Sequence, residues 1–504
     1  MAPAASAHPI IFALACSADR SGLHIHRISG PGCFASICAA LESMPPRAGY
    51  NQSGTLAPTS QKTRPFTAQM IKPRHAHYLQ FVAASGATID DVVVTFYKGP
   101  ASYTGEDSCE ITAHGNPLIA AQIHSRLREL GFSDAKPGEF TQRAYLNGKL
   151  DLTQAEAVAA LIEADTAGGL ELARASSQGS IQREVSEIRT SLVSLRAQLE
   201  ARIDFSEDEV GAPPWPLIAS LCGGVIKQLQ TLEASYERGK KIREGLRISL
   251  AGAPNAGKSS LYNALLAEDA AIVSEEMGTT RDVLRERFFI KGRDFILSDT
   301  AGIRSSHETT GAIEQQGIER TFREMKQAAV VLAVFDLAKY SEERSGTALL
   351  QDLDQLTGQL GLTNSQQVLL VLNKTDLVPL PIARSMQKFC CERNIVTICC
   401  NKDDIFELEE ALCQAYDRSF DLAKNDTRAG APEGATLIST RQRDQVRRAL
   451  RHIQHAASLC QEQAYLEILA SEVIGCEEAL IDLLGRVDIG EVFQEIFTNF
   501  CIGK

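Results

Sequence analysis

Near the middle of the chain a short apolar run, Leu246 to Leu250, leads straight into Gly252-Ala-Pro-Asn-Ala-Gly257-Lys258-Ser259, and a helical pattern of Leu261, Leu265 and Leu266 follows. No other feature limits the possible fold as much. Successive backbone N–H groups wrap a phosphate only where glycine permits close approach. Lys258 then supplies a point charge to the β/γ-phosphates and Ser259 a hydroxyl to Mg²⁺. Downstream lie Gly278-Thr279-Thr280, a strand at Phe295 to Leu297 entering Asp299-Thr300-Ala301-Gly302, and apolar runs at Val330 to Phe335 and Val368 to Leu372. The last run ends in Asn373-Lys374-Thr375-Asp376. Strands alternating with helices and carrying ligands at their C-terminal ends predict a doubly wound sheet with the ligand over those ends.

The chemistry of these segments is specific. Thr280 can complete Mg²⁺ and sense the γ-phosphate, Asp299 can hold the metal through water, and the Gly302 amide can reach the γ-phosphate. The Asp376 carboxylate can accept two hydrogen bonds from the N1 and N2 edge of guanine, which adenine does not offer. The expected nucleotide is therefore GTP or GDP. Its contacts are expected from Asn255, Ala256, Gly257, Lys258, Ser259 and Ser260 in the loop. Ser274, Thr279, Thr280, Asp299, Thr300, Ala301 and Gly302 serve the phosphates, and Asn373, Lys374 and Asp376 the base. Where such domains usually offer Ser-Ala-Lys beside the base, this chain has Cys399-Cys400-Asn401, which leaves that contact to backbone. After Gly302 stands Ile303, which cannot orient an attacking water as glutamine does; Glu308, Glu314 and Glu319 are the candidates for that work.

A length of 504 residues suggests about three domains, and 44% apolar residues are ample for sizeable cores. A formal charge of −12 means that the surface as a whole does not attract polyphosphate, so nucleic-acid contact needs a local patch or a partner. The 13 cysteines include no C-x-x-C spacing, and a reducing, cytoplasmic compartment is expected. No apolar run reaches the ~18 residues of a membrane span, so no membrane association is expected. The run Ile10 to Cys16 has no preceding Lys or Arg and reads as a strand rather than a leader.

Residues 1–150 read as an α/β domain with one clear helix, capped by Asn116, opened by Pro117 and ended by Gly131. Within it, Pro45 to Pro73 reads as a flexible excursion. Residues 151–243 form the first half of a helical domain, opened by a Thr153/Glu156 capping box and interrupted near Ala212 to Pro216. The nucleotide domain spans 244–418, and 419–504 supplies the second helical half, expected to pack on the first. The apolar spacing of Val492, Phe493, Ile496, Phe497 and Phe500 predicts a docked terminal helix. The fold class is thus multidomain α/β plus α.

With Arg27-Ile-Ser-Gly30, Tyr103-Thr-Gly-Glu-Asp107, Pro137-Gly-Glu-Phe140, Asn147-Gly-Lys149-Leu-Asp-Leu-Thr-Gln-Ala-Glu156, Ile203-Asp-Phe205 and the tail Phe500-Cys-Ile-Gly-Lys504, the chain resembles the MnmE (TrmE) family of tRNA-modifying GTPases. The likeness covers nearly the full length. It implies an N-terminal folate-binding and dimerising domain, a discontinuous helical domain and an inserted Ras-like P-loop GTPase domain. It also implies a homodimer that joins an FAD-dependent MnmG (GidA) partner in a heterotetramer. Together they add a carboxymethylaminomethyl or aminomethyl group to C5 of the wobble uridine of certain tRNAs, with 5,10-methylenetetrahydrofolate or 5-formyltetrahydrofolate as the one-carbon carrier.

By motif match the resemblance places folate at Arg27, Glu110, Lys149 and Lys504. It places K⁺ at Asn255, Ser274, Glu276 and Thr279, Mg²⁺ at Ser259 and Thr280, the water-orienting role at Glu314, and a functional thiol at Cys501. The chain departs from the family pattern at Cys16-Ser-Ala-Asp19 before Arg20-Ser21, and at His114-Gly115-Asn116, both near the implied folate pocket. Two other functions share parts of this signature: an RNA-binding ribosome-assembly GTPase, and a nucleotide-switched scaffold without substrate chemistry. The first carries a KH-type domain or a second P-loop, and this chain has one P-loop and a helical tail.

Overall fold

The computed structural model describes residues 9–43, 64–164, 166–205, 207–267, 285–298, 328–340, 348, 351–352, 354–356, 358, 366–379, 396–397, 405–419, 434–485 and 503. They divide into two compact units. One comprises Met1–Ala159, Ser177–Ile226 and Asp444–Lys504, the other Ala160–Ser176 and Lys227–Arg443.

The first unit is built on an eight-stranded sheet in the order β4-β3-β5-β6-β7-β2-β1-β8. Its strands are β1 (Ile11–Leu14), β2 (Leu23–Ser29), β3 (Leu41–Ser43), β4 (Arg64–Pro65), β5 (Ala76–Val82), β6 (Thr88–Tyr97), β7 (Ser108–His114) and β8 (Ser133–Asp134). Strict alternation gives the sheet two different faces. Phe81, Val92, Val94, Phe96, Cys109 and Ile111 point inward and join Ile123 and Leu127 of helix α2 (Pro117–Glu129) in one core. The Asn116 side chain accepts from the Leu118 amide at 2.9 Å, so the expected cap is in place. Two further short helices, α1 (Cys33–Ile37) and α3 (Glu139–Leu146), accompany it.

The excursion expected at Pro45 to Pro73 needs correction at its C-terminal end. Arg64–Pro65 pairs with β3, and Phe66 is buried against Phe96 with ring centroids 6.2 Å apart. A two-residue strand is too short for a period to show, and its anchor is one aromatic ring. The capping box also moves. Helix α4 (Leu152–Glu163) starts one residue before Thr153, and the reciprocal pair is Asp151 with Gln154: Gln154 N–H donates to Asp151 Oδ1 at 2.8 Å and Asp151 N–H to Gln154 Oε1 at 3.0 Å.

The remaining helices of the chain's first half are α5 (Ala167–Ser177), α6 (Ser180–Asp204), α7 (Glu207–Val210) and α8 (Trp215–Glu244), with the break near residues 211–214 as the sequence suggested. Helix α9 (Lys258–Ala267) follows the P-loop, and α10 (Phe406–Ser419), α11 (Thr440–Gln461) and α12 (Leu466–Leu484) lie further along the chain. Helix α6 packs on α12, where Arg189 and Arg196 both reach the buried Glu477, at 3.4 and 2.8 Å. The two helical stretches therefore meet. The boundaries of the two units run within α4, α5, α8 and α11.

The second unit holds a six-stranded sheet, β10-β11-β9-β12-β13-β14. Its members are β9 (Leu246–Ala251), β10 (Arg285–Ile290), β11 (Arg293–Ser298), β12 (Val330–Asp336), β13 (Gln367–Asn373) and β14 (Val396–Thr397). All neighbours are parallel except the β10–β11 hairpin, whose two-residue turn, Lys291 and Gly292, has positive φ at both positions. This is the doubly wound arrangement predicted from the strand and motif order. Asp294 of β11 ties α5 to it by accepting from the Ala167 and Gly168 amides at 3.2 and 3.3 Å. Burial pushes that carboxyl above its usual range.

Candidate functional site

The phosphate loop joins β9 to α9, and its geometry depends on two glycines. Gly252 has φ +146°, and a Cβ there would fall on the Val334 carbonyl of β12; Gly257 has φ +98°, and a Cβ there would fall on the Asn373 amide. Lys258, Ser259 and Ser260 form the first turn of α9, so their N–H groups lie among those a helix leaves without internal partners. Lys258 Nζ donates to the Gly252 and Ala253 carbonyls, each at 2.9 Å, and burial holds its pKa below the usual lysine range.

The loop after β13 is fastened to this turn. Asn373, 2% exposed, donates through Nδ2 to the Ala256 carbonyl at 3.1 Å and accepts from the Lys374 amide at 2.7 Å. Lys374, at φ 63°, donates to the Asn255 carbonyl and to Asp336 Oδ2, each at 2.7 Å. Asn373 and Lys374 thus brace the two loops, while Asp376 is exposed on the short turn Thr375–Leu377. Asp336, at the end of β12, went unseen in the sequence; an acidic residue ending an apolar strand carries no signal until its partner is known. Ser274, Glu276, Thr279, Thr280, Asp299, Thr300, Ala301, Gly302, Ile303, Glu308, Glu314, Glu319 and Cys399 to Asn401 lie outside the described residues.

The second site lies in the first unit, on the outer face of its sheet. Arg27 of β2 and Glu110 of β7 are directly opposite in register, and Glu110 faces Thr95 of β6 on its other side. Nε and Nη2 of Arg27 donate to Glu110 Oε1 at 3.1 and 3.0 Å, and Nη1 donates to the Gly503 carbonyl at 3.2 Å. The guanidinium lies 5.7 Å from the Tyr103 ring centroid and 5.8 Å from that of Phe140. Arg27 and Glu110, with Tyr97, Tyr103, Thr104, Ser108 and Phe140, line a cavity of about 220 Å³. Burial raises the hydroxyl pKa of Tyr97 and of Tyr103, and the Glu110 carboxylate adds to the shift at Tyr97.

The motif segments Tyr103 to Asp107 and Asn147 to Lys149 hold this cavity in shape. Gly105 takes φ +81°, Asn147 Nδ2 donates to the Thr104 carbonyl at 2.7 Å, and Asp107 accepts from the Gly99 amide at 3.0 Å. Arg143, 3% exposed, donates to Glu106 at 3.1 Å and to Glu139 at 2.8 Å, and Glu106 also accepts from Ser29 at 2.9 Å. Lys149, expected at the folate site, is not among the lining residues; its Nζ donates to the Pro100 carbonyl at 3.0 Å. Tyr103, Thr104 and Phe140 sit inside the sequence motifs, whereas Tyr97, Ser108 and Arg143 carry no local signal in the sequence. Cys501, Lys504 and the stripe Val492 to Phe500 lie outside the described residues.

Comparison with known proteins decides the family. Residues 10–149 match the model of the GTP-binding protein TrmE N-terminus, and residues 152–501 that of the MnmE helical domain. The chain belongs to the MnmE family. A tRNA modification GTPase MnmE of Akkermansia muciniphila is 35% identical over 496 residues, 98% of each chain. One from Shewanella baltica is 34% identical over 498 residues, 98% of this chain and 99% of the relative. One from Stutzerimonas stutzeri is 33% identical over 504 residues, 99% of each. As a member of the MnmE family the chain is a GTP hydrolase with an N-terminal TrmE-type domain, a helical domain and a P-loop GTPase domain. Among the described residues no helix is long and apolar enough to cross a membrane.

Proposed function

We propose that this MnmE-family GTPase acts in the cytoplasm with an FAD-dependent, MnmG-type partner to install an aminomethyl or carboxymethylaminomethyl group on C5 of the wobble uridine of certain tRNAs. One observation carries the reading: a P-loop and a polar and aromatic cavity coexist in one chain, and the cavity's arginine donates to the Gly503 carbonyl. A nucleotide-switched scaffold has no use for the second site.

In the nucleotide site Lys258 and the loop amides would hold the phosphates, Ser259 and Thr280 Mg²⁺, and Asp376 the guanine. K⁺, held by Asn255, Ser274, Glu276 and Thr279, would supply transition-state charge, and Glu314 would orient water. In the cavity Glu110 offers an acceptor to ring N–H donors, aromatic walls offer stacking, and the volume suits a fused-ring head group. These features suit a reduced folate, which supplies the one-carbon unit when bound. Lys149 and Lys504 would meet its acidic tail outside the cavity. Cys501 would act at the same end of the chain.

The sheet face that carries the cavity also exposes Leu23, Ile25, Val93 and Tyr78, and Ile25, Thr112, Val93 and Tyr78 are consecutive register partners across β2, β7, β6 and β5. An apolar row of this kind supports the reading of a homodimer. Nucleoside mass spectrometry of total tRNA from a deletion strain tests the proposal. Loss of the C5 group from wobble uridine, restored by the wild-type chain, is expected; unaltered tRNA rejects it. K⁺ should raise turnover over Na⁺ by ~10³.

A further inference from the structure

Gly503, the penultimate residue, is held more tightly than a chain end requires. Gly503 is buried and has φ +97°, a conformation that L side chains rarely adopt. A Cβ at this position would fall on the Leu14 carbonyl at the end of β1, with Ala15 Cα 3.0 Å away. Two independent constraints, backbone conformation and space, therefore both demand glycine. A third contact fixes direction: the Gly503 carbonyl accepts from Arg27 Nη1, the donor left over after Nε and Nη2 have engaged Glu110.

This arrangement reaches the cavity through one side chain. The Arg27 guanidinium forms part of the cavity wall, close to the Tyr103 and Phe140 rings, and it is oriented by Glu110 and by Gly503. Removing the Gly503 carbonyl would leave a rotatable fork edge and a less defined wall. We propose that Gly503 is a positioning residue, seated against β1, that locks Arg27 in the cavity wall and so couples docking of the chain terminus to binding of a reduced folate. The ligand class rests on the reading given above. The coupling is positive, because a ligand meeting a wall already ordered by the terminus loses less freedom on binding.

Linkage makes the test two-sided. In the full-length protein, removal of Lys504 by carboxypeptidase B, followed by intact-mass spectrometry, reports the unseated terminus. Binding of 5-formyltetrahydrofolate is followed by calorimetry. Gly503→Ala should speed trimming about 10-fold and weaken the folate by a similar factor, and saturating folate should slow trimming of the wild type but not of the variant. Arg27→Gln should also speed trimming, with Gly503 unchanged. Gly503→Ala with wild-type trimming and wild-type affinity would overturn the proposal, as would faster trimming in the presence of folate. If the wild type binds no folate, the folate reading fails, and the two trimming rates without ligand still decide whether Gly503 is a seat.

Discussion

The two sites are built in opposite ways. The proposed phosphate cradle is made almost entirely by one contiguous turn, Gly252 to Ser260, whose backbone would do the binding and whose glycines clear the space. The cavity of the N-terminal domain is lined by residues 27, 97, 103, 104, 108, 110 and 140, with the Gly503 carbonyl behind Arg27, and there side chains would do the work. A site made of local backbone can be read as a motif. A site made of cross-strand side chains exists only once register has been set, because a one-residue slip would turn Arg27 and Glu110 into the core.

Breaking the local site should produce the largest effect. Gly257→Val places a branched side chain onto Asn373, and GTP affinity measured by fluorescent-nucleotide titration should fall by roughly 100-fold or more, about 3 kcal/mol. Asp376→Asn should cost GTP a comparable roughly 100-fold and admit xanthosine nucleotide, because an amide there pairs with the altered base edge. Equal GTP affinity in wild type and Asp376→Asn would end the guanine assignment.

Acid should separate the two regions. Beneath the cavity, on the inner face of the same strand, His26 Nδ1 lies 3.1 Å from His124 Nε2, and His24 Nε2 lies 2.8 Å from the Asp19 carbonyl. Burial, with the neighbouring histidines adding, lowers the His26 pKa from 6.5 to about 3; burial also lowers that of His124, with Arg128 adding and Asp134 opposing. A histidine kept neutral when folded gives stability that is complete above pH 6.5 and is lost as pH falls towards 3, since the unfolded chain binds the proton more readily. At pH 5 the loss attributable to His26 should be about 2 kcal/mol relative to pH 7. Hydrogen exchange should show strands of the N-terminal sheet opening before those of the nucleotide domain, and His26→Leu should flatten the difference.

A smaller effect is expected at the cavity. Glu110→Gln removes the charge that holds Arg27, and affinity for 5-formyltetrahydrofolate by calorimetry should drop about 10-fold, about 1.4 kcal/mol. The smallest concerns a local feature of the same domain: Asn116→Ala removes the α2 cap and should cost about 1 kcal/mol in denaturant unfolding. If the cap mutation lowers folate affinity as much as Glu110→Gln does, the distinction between local scaffold and assembled site fails for this domain.

What could be read from the sequence follows this division. The order of the nucleotide-domain strands, the cap at Asn116, the helical halves and the phosphate turn were legible, because each depends on periodicity or on neighbours a few residues away. The capping pair at Asp151 and Gln154 was misplaced by two residues, since Thr153/Glu156 satisfies the same spacing and only the helix start chooses between them. Phe66 was lost inside a stretch without periodicity because a single aromatic residue in a short strand has no pattern. Arg27 and Glu110 entered through family likeness rather than from local pattern.

By itself, then, the sequence determined what lies within a single turn: a P-loop, with Asn373-Lys374-Thr375-Asp376 downstream of it. The tertiary structure alone decided that Asn373 and Lys374 brace that loop, that Asp336 is their partner, and that Asp294 caps α5. It also decided that Arg27 faces Glu110 across two strands, and that a glycine 476 residues further along completes its hydrogen bonds. The physical reason is the same in each case. Local conformation is set by sterics and hydrogen bonds over a few residues, whereas these contacts depend on sheet register and chain closure, which only the packed core specifies.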